Sequence, residues 1–298
     1  MPIPESQLET WSNQGATGLS SAAYASVRHS LEKATSPLTG RGIEIYLQGS
    51  YANETHIYAD SDIDVVVYYG KTFHSDLSAL AQNQQELHQR VFPTAPYQWS
   101  HLRDDVLTTL RSHYGPGAVS LGKKAIKVQI GHGRMVADVV PAVEFRRYAT
   151  FLDQNTFTAH WGICLFDSAG NQIVNYPKYH IQRGEDKNSA ARTRGQYKPT
   201  IRILKNLRNY LIENALITQE IAPSYYVECA LHNVPDNLFV GRYANTVPAI
   251  LNYLVTTPYA GFMCQNGVTP LIGTGSTQWL KENFAAFFVT ARDSFQNW

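Results

Sequence analysis

Two aspartates, Asp62 and Asp64, stand directly before the apolar run Val65–Val67. Alternate side chains of a β-strand point to the same face, so this spacing would aim two carboxylates at one point. Two like charges held that close repel each other unless a cation lies between them. Ligands that offer only oxygen suit a hard cation such as Mg²⁺, which binds through one or two carboxylates together with substrate phosphates.

A Gly-Ser pair lies twelve residues before the first of these aspartates, at the end of a predicted strand. Gly49 lets the backbone approach a phosphate without a Cβ in the way. Ser50 can open a helix whose N-terminal amides face an anion. Acidic pairs at strand ends are common as solvated loop residues, but the combination with a preceding Gly-Ser turn is more specific. The pattern indicates metal-assisted phosphoryl or nucleotidyl transfer.

Asp138, in the segment RMVADVVP, is the candidate for a third acid. It shares one predicted strand face with Arg134, Val136 and Val140, where an aspartate is costly unless it is paired or binds a metal. Taken alone, it is best interpreted as a strand-end aspartate that caps a loop or pairs with an arginine. Beside Asp62 and Asp64 the metal interpretation is favoured, since a two-metal site needs a third carboxylate on the metal that activates the attacking hydroxyl.

Predicted strands dominate the first half of the chain and predicted helices the second. Strands are predicted over residues 43–47, 63–69, 124–130, 134–140, 161–166 and 172–176. Helices are predicted over residues 20–34, 75–91, 100–114, 200–215, 225–233, 247–256 and 277–295. This order favours an α+β fold, with a mixed-sheet lobe over residues 1–182, a helical lobe over residues 183–298 and the active site in the cleft between them. The polar stretch 183–196 marks the predicted boundary.

Composition narrows the class of protein. The formal net charge of the 298 residues is +1, so no bulk field draws the chain to nucleic acid, and we expect no stable nucleic-acid partner. Three widely spaced cysteines match no zinc or redox motif and fit a reducing compartment. The first residues lack a basic and apolar leader pattern, and the longest apolar run is too short for a bilayer. We therefore expect a cytoplasmic protein.

Several segments together resemble the bacterial cGAS/DncV-like nucleotidyltransferases of the polymerase-β-like superfamily, in particular their clade E and its pyrimidine-accepting subgroup. They are PESQLETWSNQGAT, LQGSYANET, DSDIDVVV, VNYPKYH, YKPTIRILKNLRNYL, APSYYVECALHNVPD and CQNG, spread over nearly the full length. The resemblance implies an enzyme that makes cyclic nucleotides from NTPs with two Mg²⁺ ions, or Mn²⁺ in their place. It further implies a second messenger in bacterial anti-phage (CBASS) signalling, a downstream effector that reads it, and a monomeric synthase.

The resemblance also assigns roles to individual residues. Asp62, Asp64 and Asp138 match the catalytic metal triad, and the phosphate-binding turn corresponds to Gln48, Gly49 and Ser50. All three acids are present, so nothing suggests an inactive relative.

Three residues of the predicted helical lobe are expected to bind the donor nucleotide by the same resemblance. Lys205 lies on a basic stripe with Lys198, Arg202 and Arg208, and such a stripe is most often a solvated face. The resemblance makes Lys205 a triphosphate ligand. Ser224 is an N-cap by composition and a second triphosphate ligand by resemblance. Tyr225 either stacks on the donor base or is a core aromatic.

Asn175 stands before Tyr176-Pro177-Lys178 and carries the amide donors and the acceptor that could read a uracil edge. The alternative is a polar strand residue that bonds to the backbone. By resemblance, asparagine here marks enzymes that accept pyrimidines, especially UTP, with ATP as a second substrate. The expected product is c-di-UMP or cyclic UMP–AMP. Two rival interpretations remain: an enzyme that modifies a drug, an RNA end or a protein, and a non-catalytic NTP sensor.

Overall fold

The computed structural model describes residues 1–58, 62–131, 135–239, 241–275 and 277–298. The chain forms two compact units. The sheet unit comprises Thr17–Tyr51 and Ser61–Pro177, and the helical unit comprises Met1–Ala16, Ala52–Asp60 and Lys178–Trp298.

The sheet unit is built on a mixed sheet of seven strands within the described ranges. These are β1 (Glu44–Gln48), β2 (Asp62–Asp76), β3 (Val119–Leu121), β4 (Ile126–Ile130), β5 (Met135–Asp153), β6 (Thr156–Phe166) and β7 (Gln172–Asn175). The order is β1-β2-β5-β4-β3, and β6 joins β5 to β7. Only β2 and β5 pair in parallel among these strands; the other pairs are antiparallel. The predicted mixed sheet is confirmed.

The position of β2 between β1 and β5 accounts for its apolar run. Val65, Val66 and Val67 are fully buried, so both faces of the strand are covered at this point. A strand covered on both faces is expected to be a continuous apolar run, without the alternation of a half-exposed strand. β4 and β5 form the predicted antiparallel hairpin. Two residues of its predicted turn, His132 and Gly133, and the first residue of its predicted second strand, Arg134, lie outside the described residues.

The described residues form ten helices: α1 (Glu5–Ser12), α2 (Gly18–Leu31), α3 (Gly49–Ala52), α4 (Gln82–Val91), α5 (Trp99–Tyr114), α6 (Pro177–Asn188), α7 (Tyr197–Glu213), α8 (Ser224–His232), α9 (Tyr243–Thr256) and α10 (Lys281–Gln296). The predicted helix over residues 75–91 is wrong in its first part, because β2 continues to Asp76 along the partner strand β5. The polar stretch 183–196, predicted as the boundary between the lobes, begins inside α6. None of the helices in these ranges combines the length and apolar character that crossing a bilayer requires.

The N-terminal residues pack with the helical unit, whereas the sequence placed them in the sheet lobe. Ile3 and Leu8 are buried in the same core as Tyr197, Leu204 and Trp279. Since Leu8 of α1 and Ile3 just before that helix are both buried in this core, the burial of the N-terminal segment stabilises the helical unit. The two compact units are therefore each built from more than one segment of the chain, whereas the sequence predicts a single boundary between residues 182 and 183.

Candidate active site

Two neighbouring parallel strands position the predicted acids. Asp64 on β2 lies opposite Asp138 on β5, and Asp62 lies opposite Val136. Alternation along β2 and β5 places Asp62, Asp64 and Asp138 on the same face of the sheet. Asp62 is exposed and Asp64 is half-buried, which leaves this cluster open to a ligand.

The Gly-Ser turn lies directly against these acids. β1 ends at Gln48, whose backbone pairs with Asp64. Gly49 follows with a backbone φ of 69°, which residues that carry a side chain rarely adopt. A Cβ placed at this position would also overlap the Asp64 carboxylate. Glycine is therefore required twice, by backbone conformation and by space. Ser50 lies in the short helix α3 that follows.

The described ion pair of Asp138 is formed with a lysine from the adjacent strand. Lys127 on β4 pairs with Asp138 in the sheet, and its Nζ lies 3.2 Å from Asp138 Oδ1. The aligned hydrogen bond goes instead to Oδ2, at 3.5 Å. Oδ1 is buried and accepts no hydrogen bond. Among the described residues, the exposed Lys127 and not an arginine is the ion-pair partner of Asp138, and one carboxylate oxygen accepts no hydrogen bond. Arg134 lies outside the described residues, so the predicted arginine alternative stays a prediction.

The donor set on this face fits a hard divalent cation by its chemistry. Carboxylate oxygens are the ligands such ions prefer, and the buried Asp138 Oδ1 has no hydrogen bond that an ion would have to replace. In the described ranges, no three His, Cys, Asp or Glu side chains are grouped closely enough to hold a metal ion. The protein thus supplies the three acids on one face without drawing them into a closed cage.

The basic stripe of α7 is not a solvated face. Lys198 and Lys205 are buried, and both are paired with carboxylates. Lys198 Nζ lies 2.8 Å from Glu54, while Arg202 donates to the backbone oxygen of Glu54. The stripe therefore packs against the segment that follows the Gly-Ser turn and that belongs to the helical unit.

Lys205 lies at the centre of this contact, with only 3% of its surface exposed. Its Nζ donates to the backbone oxygen of Thr55 at 3.0 Å and lies 3.1 Å from Glu228. The predicted solvated alternative is wrong for Lys205, because an ammonium buried this deeply needs a paired carboxylate. Its role as a triphosphate ligand stays a prediction.

Glu228 is the residue that the sequence did not reveal. It lies in the apolar run of α8 and receives hydrogen bonds from Thr55, Asn53 and His180. Burial alone would raise the pKa of this carboxyl, but the Lys205 ammonium and the His180 and Thr55 hydrogen bonds outweigh it and lower the pKa from 4.5 to about 2. An acid inside an otherwise apolar helical run was the available indication.

Ser224 and Tyr225 open α8 and are both exposed. The N-cap is Pro223 and not Ser224, because the helix begins at Ser224. Tyr225 is 42% exposed, so it is not a core aromatic. Its ring stacks on His180, with centroids 5.3 Å apart and planes 25° from parallel. This leaves an ordered aromatic ring at the surface of the helical unit.

Asn175 is the last residue of β7 and is exposed. Its backbone pairs with Ile163 on β6. Gly162 allows this approach, since a Cβ there would lie 2.6 Å from the Asn175 carbonyl oxygen. The side-chain amide is thus presented on an exposed strand end.

The paired acids, the Gly-Ser turn and the mixed sheet are the features of a nucleotidyltransferase domain. Residues 29–96 match the nucleotidyltransferase domain family, and residues 182–296 match the cGAS/DncV-like nucleotidyltransferase C-terminal helical domain. Proteins of this class use divalent metal ions and NTP substrates.

Full-length relatives define the family more closely. The chain is 38% identical over 298 residues to the cyclic UMP-AMP synthase of Rhodothermus marinus, covering 100% of this chain and 99% of that protein. It is 36% identical over 308 residues to the cyclic nucleotide synthase CdnE01 of Staphylococcus haemolyticus, covering 100% of both. A structure of Rhodothermus marinus CdnE c-UMP-AMP synthase with Apcpp and Upnpp superposes with a TM-score of 0.88 and covers 100% of this chain and 98% of that one. The chain belongs to the cGAS/DncV-like nucleotidyltransferases, which confirms the resemblance.

Proposed function

We propose that this enzyme joins NTPs into a uracil-containing cyclic dinucleotide, c-di-UMP or cyclic UMP–AMP, with release of pyrophosphate. The observation that carries the proposal is the register that sets Asp64 beside Asp138, with Asp62 on the same face and Gly49 against the carboxylate. The full-length likeness to a cyclic UMP-AMP synthase supports uracil in the product and makes cyclic UMP–AMP the first candidate.

In this proposal the three acids divide the work. Two Mg²⁺ ions, when bound by Asp62, Asp64 and Asp138, would supply charge stabilisation at the phosphorus that reacts. Asp138 orients the acceptor hydroxyl and takes its proton as the oxygen attacks the donor α-phosphorus. The bond to pyrophosphate breaks, and a second such transfer closes the ring. Positioning accounts for much of the rate in such transfers, so the rigid strand register matters as much as the charges.

Nucleotide contacts are assigned to the exposed and turn residues. Gly49 and Ser50, with Gln48 before them, offer the backbone turn to phosphate, and Ser224 offers a hydroxyl. The ordered Tyr225 ring stacks on the donor base, since base stacking on an aromatic ring tolerates many bases. Asn175 reads the uracil edge with its amide. Lys205 acts on the triphosphate through its fixed charge.

The cellular setting follows from the substrates and from the family. The enzyme would work as a monomer in the bacterial cytoplasm, where NTPs are made, and its product would reach a downstream effector in anti-phage signalling. The reaction would also proceed with Mn²⁺ in place of Mg²⁺.

The test is an incubation of the purified chain with each pair of NTPs, followed by mass spectrometry of the product and an assay of pyrophosphate. Two pyrophosphates per cyclic dinucleotide are expected, with UTP required. One pyrophosphate per molecule of a separate acceptor would favour the rival enzyme that modifies a drug, an RNA end or a protein. No pyrophosphate with any NTP pair would favour the non-catalytic sensor. A product made only from ATP and GTP would remove the role of Asn175.

A further inference from the structure

A cavity of about 260 Å³ opens in the sheet unit, beside the loop that precedes β4. Two aromatic rings form part of its wall: Trp99 at the start of α5 and Phe166 at the end of β6, with centroids 5.1 Å apart. A 2.8 Å hydrogen bond from Trp99 Nε1 to the Pro141 carbonyl fixes the indole. Both rings are half-buried, so the cavity has an ordered aromatic wall.

Positive charge exceeds negative charge around this cavity. Its wall includes Arg103, Lys123 and Lys124, and both lysines are exposed. One carboxylate, Asp167, also contributes to the wall. It accepts hydrogen bonds from the backbone N–H groups of Ala169 and Asn171 and from the Asn171 amide, so it mainly holds its own turn. Arg103 lies 3.6 Å from Asp104, so the two exposed lysines are the cations that favour an anionic ligand here.

The cavity is separate from the predicted catalytic acids. Its wall includes Pro141 and Ile126. Pro141 lies three residues beyond Asp138 on β5, so its side chain lies on the opposite face of the sheet. Ile126 is the neighbour of Lys127, the residue that contacts Asp138. The two sites thus share strands β4 and β5 but use different faces.

We propose that this cavity is a second nucleotide site, which holds one nucleoside monophosphate unit with its base against Trp99 and Phe166 and its phosphate toward Lys123 and Lys124. Aromatic rings stack on any base, and lysines serve phosphate as mobile point charges. The volume is below the roughly 300–1,000 Å³ of sites for drug-sized ligands. It therefore suits a single nucleotide whose phosphate lies at the exposed rim.

The test follows the Trp99 indole N–H signal by NMR while UMP or AMP is added to the full-length protein in EDTA. The proposed catalytic site depends on divalent ions, whereas the cavity residues need none, so binding without metal separates the two sites. Both monophosphates are expected to shift this signal, which is assigned through Trp99→Phe. In Lys123→Gln/Lys124→Gln the affinity is expected to fall roughly tenfold, the loss of two exposed charge contacts.

The matched control is Lys71→Gln/Lys281→Gln, which removes two exposed lysines outside the cavity and is expected to bind like the unaltered protein. An unchanged Trp99 signal at millimolar UMP and AMP would overturn the proposal. Uridine binding as tightly as UMP would overturn it too, because the phosphate would then contribute nothing. Inorganic phosphate binding as tightly as UMP would show an anion patch without base recognition and would reject the nucleotide.

Discussion

The charged residues of the sheet unit and those of the helical unit are arranged in opposite ways. In the helical unit, Lys205 and Glu228 are buried and bound to each other and to Thr55. In the sheet unit, Asp62 is exposed and a buried oxygen of Asp138 lacks a hydrogen bond. A buried ammonium and carboxylate neutralise each other, whereas carboxylates gathered on one face are suited to bind a cation that reduces their mutual repulsion. The difference separates a buried pair that is neutralised within the fold from the carboxylates that we propose bind the metal ions.

Removing the acids tests the sheet unit's side of this contrast and has the largest expected effect. Asp62→Asn/Asp64→Asn should lower cyclic product formation by at least a factor on the order of 10³, the scale of losing a main electrostatic contribution to catalysis. The thermal unfolding midpoint should hardly change, because exposed Asp62 contributes little to the core. Mass spectrometry of the product and calorimetry measure the two quantities.

The matched control for that variant is Asp293→Asn, an aspartate of α10 that pairs only with Arg292 among its described ion-pair partners. It should retain full synthesis. If the double variant still made product at a comparable rate, the two aspartates would be surface residues and the contrast between the units would be wrong.

Removal of divalent ions is the next largest effect. EDTA should stop product formation completely, and added Mg²⁺ or Mn²⁺ should restore it, because carboxylates on one face need a cation to act together. The far-ultraviolet circular dichroism spectrum should stay unchanged, since the helical unit's charges are balanced by the protein itself. Synthesis that continues in EDTA after gel filtration would contradict the metal-dependent mechanism.

Breaking the buried pair tests the helical unit's side of the contrast. Glu228→Gln leaves Lys205 as an uncompensated buried cation, so the free energy of unfolding in urea should fall by about 3–5 kcal/mol. The double variant Glu228→Gln/Lys205→Met should recover part of that loss, because it removes the isolated charge. If the double variant were less stable than the sum of the two single changes predicts, the pair would not be coupled as the structure places it.

The depressed pKa of Glu228 predicts a pH dependence of stability. Its pKa is lowered in the folded state from 4.5 to about 2, so the unfolded chain binds the proton more readily. The contribution is therefore present in full above about pH 5 and is lost as the pH falls toward 2. Urea unfolding between pH 6 and pH 3 should show a steeper loss in the unaltered protein than in Glu228→Gln. Equal slopes would mean that other carboxylates account for the acid sensitivity.

The acids could be predicted from the sequence because the relevant geometry is short-range. The strand period fixes Asp62 and Asp64 on one face, and glycine at position 49 permits the positive φ that the turn adopts. Grouping Asp138 with them needed one further inference, the third carboxylate that a two-metal site requires, and the resemblance to a known family agrees with it. Local rules and a motif were sufficient to predict that the three acids and the Gly-Ser turn lie together.

The partners of the basic stripe could not be predicted, since they lie far away along the chain. Periodicity shows that Lys198 and Lys205 share a helix face, but not whether water or a carboxylate covers that face. Glu54, Thr55 and Glu228 cover it only after the chain has folded. The same reason explains why the sequence alone places the N-terminal segment in the sheet lobe, since its apolar residues Ile3 and Leu8 could be buried in either core.

The smallest effect expected concerns Lys127, the one cation that the described ion pairs place at the acids. The Lys127 ammonium lies 3.2 Å from the Asp138 carboxylate, and 46% of the lysine side chain is exposed. The ion pair itself therefore contributes little to stability. An ammonium at that position competes with a divalent ion for the same carboxylate. Lys127→Met should therefore lower the Mg²⁺ concentration that gives half-maximal synthesis by about two- to fivefold, the range that corresponds to an exposed charge pair.

A magnesium titration of product formation, with Lys71→Met as the matched lysine variant, measures this shift. A higher magnesium requirement in Lys127→Met would mean that the lysine assists the acids by holding the Asp138 carboxylate in place. In that case Lys127 and Asp138 would form a structural ion pair in the sheet unit, as Lys205 and Glu228 do in the helical unit. The two units would then differ only in how strongly their charges are paired. A lower requirement would instead show that Lys127 occupies the carboxylate only until a divalent ion displaces it.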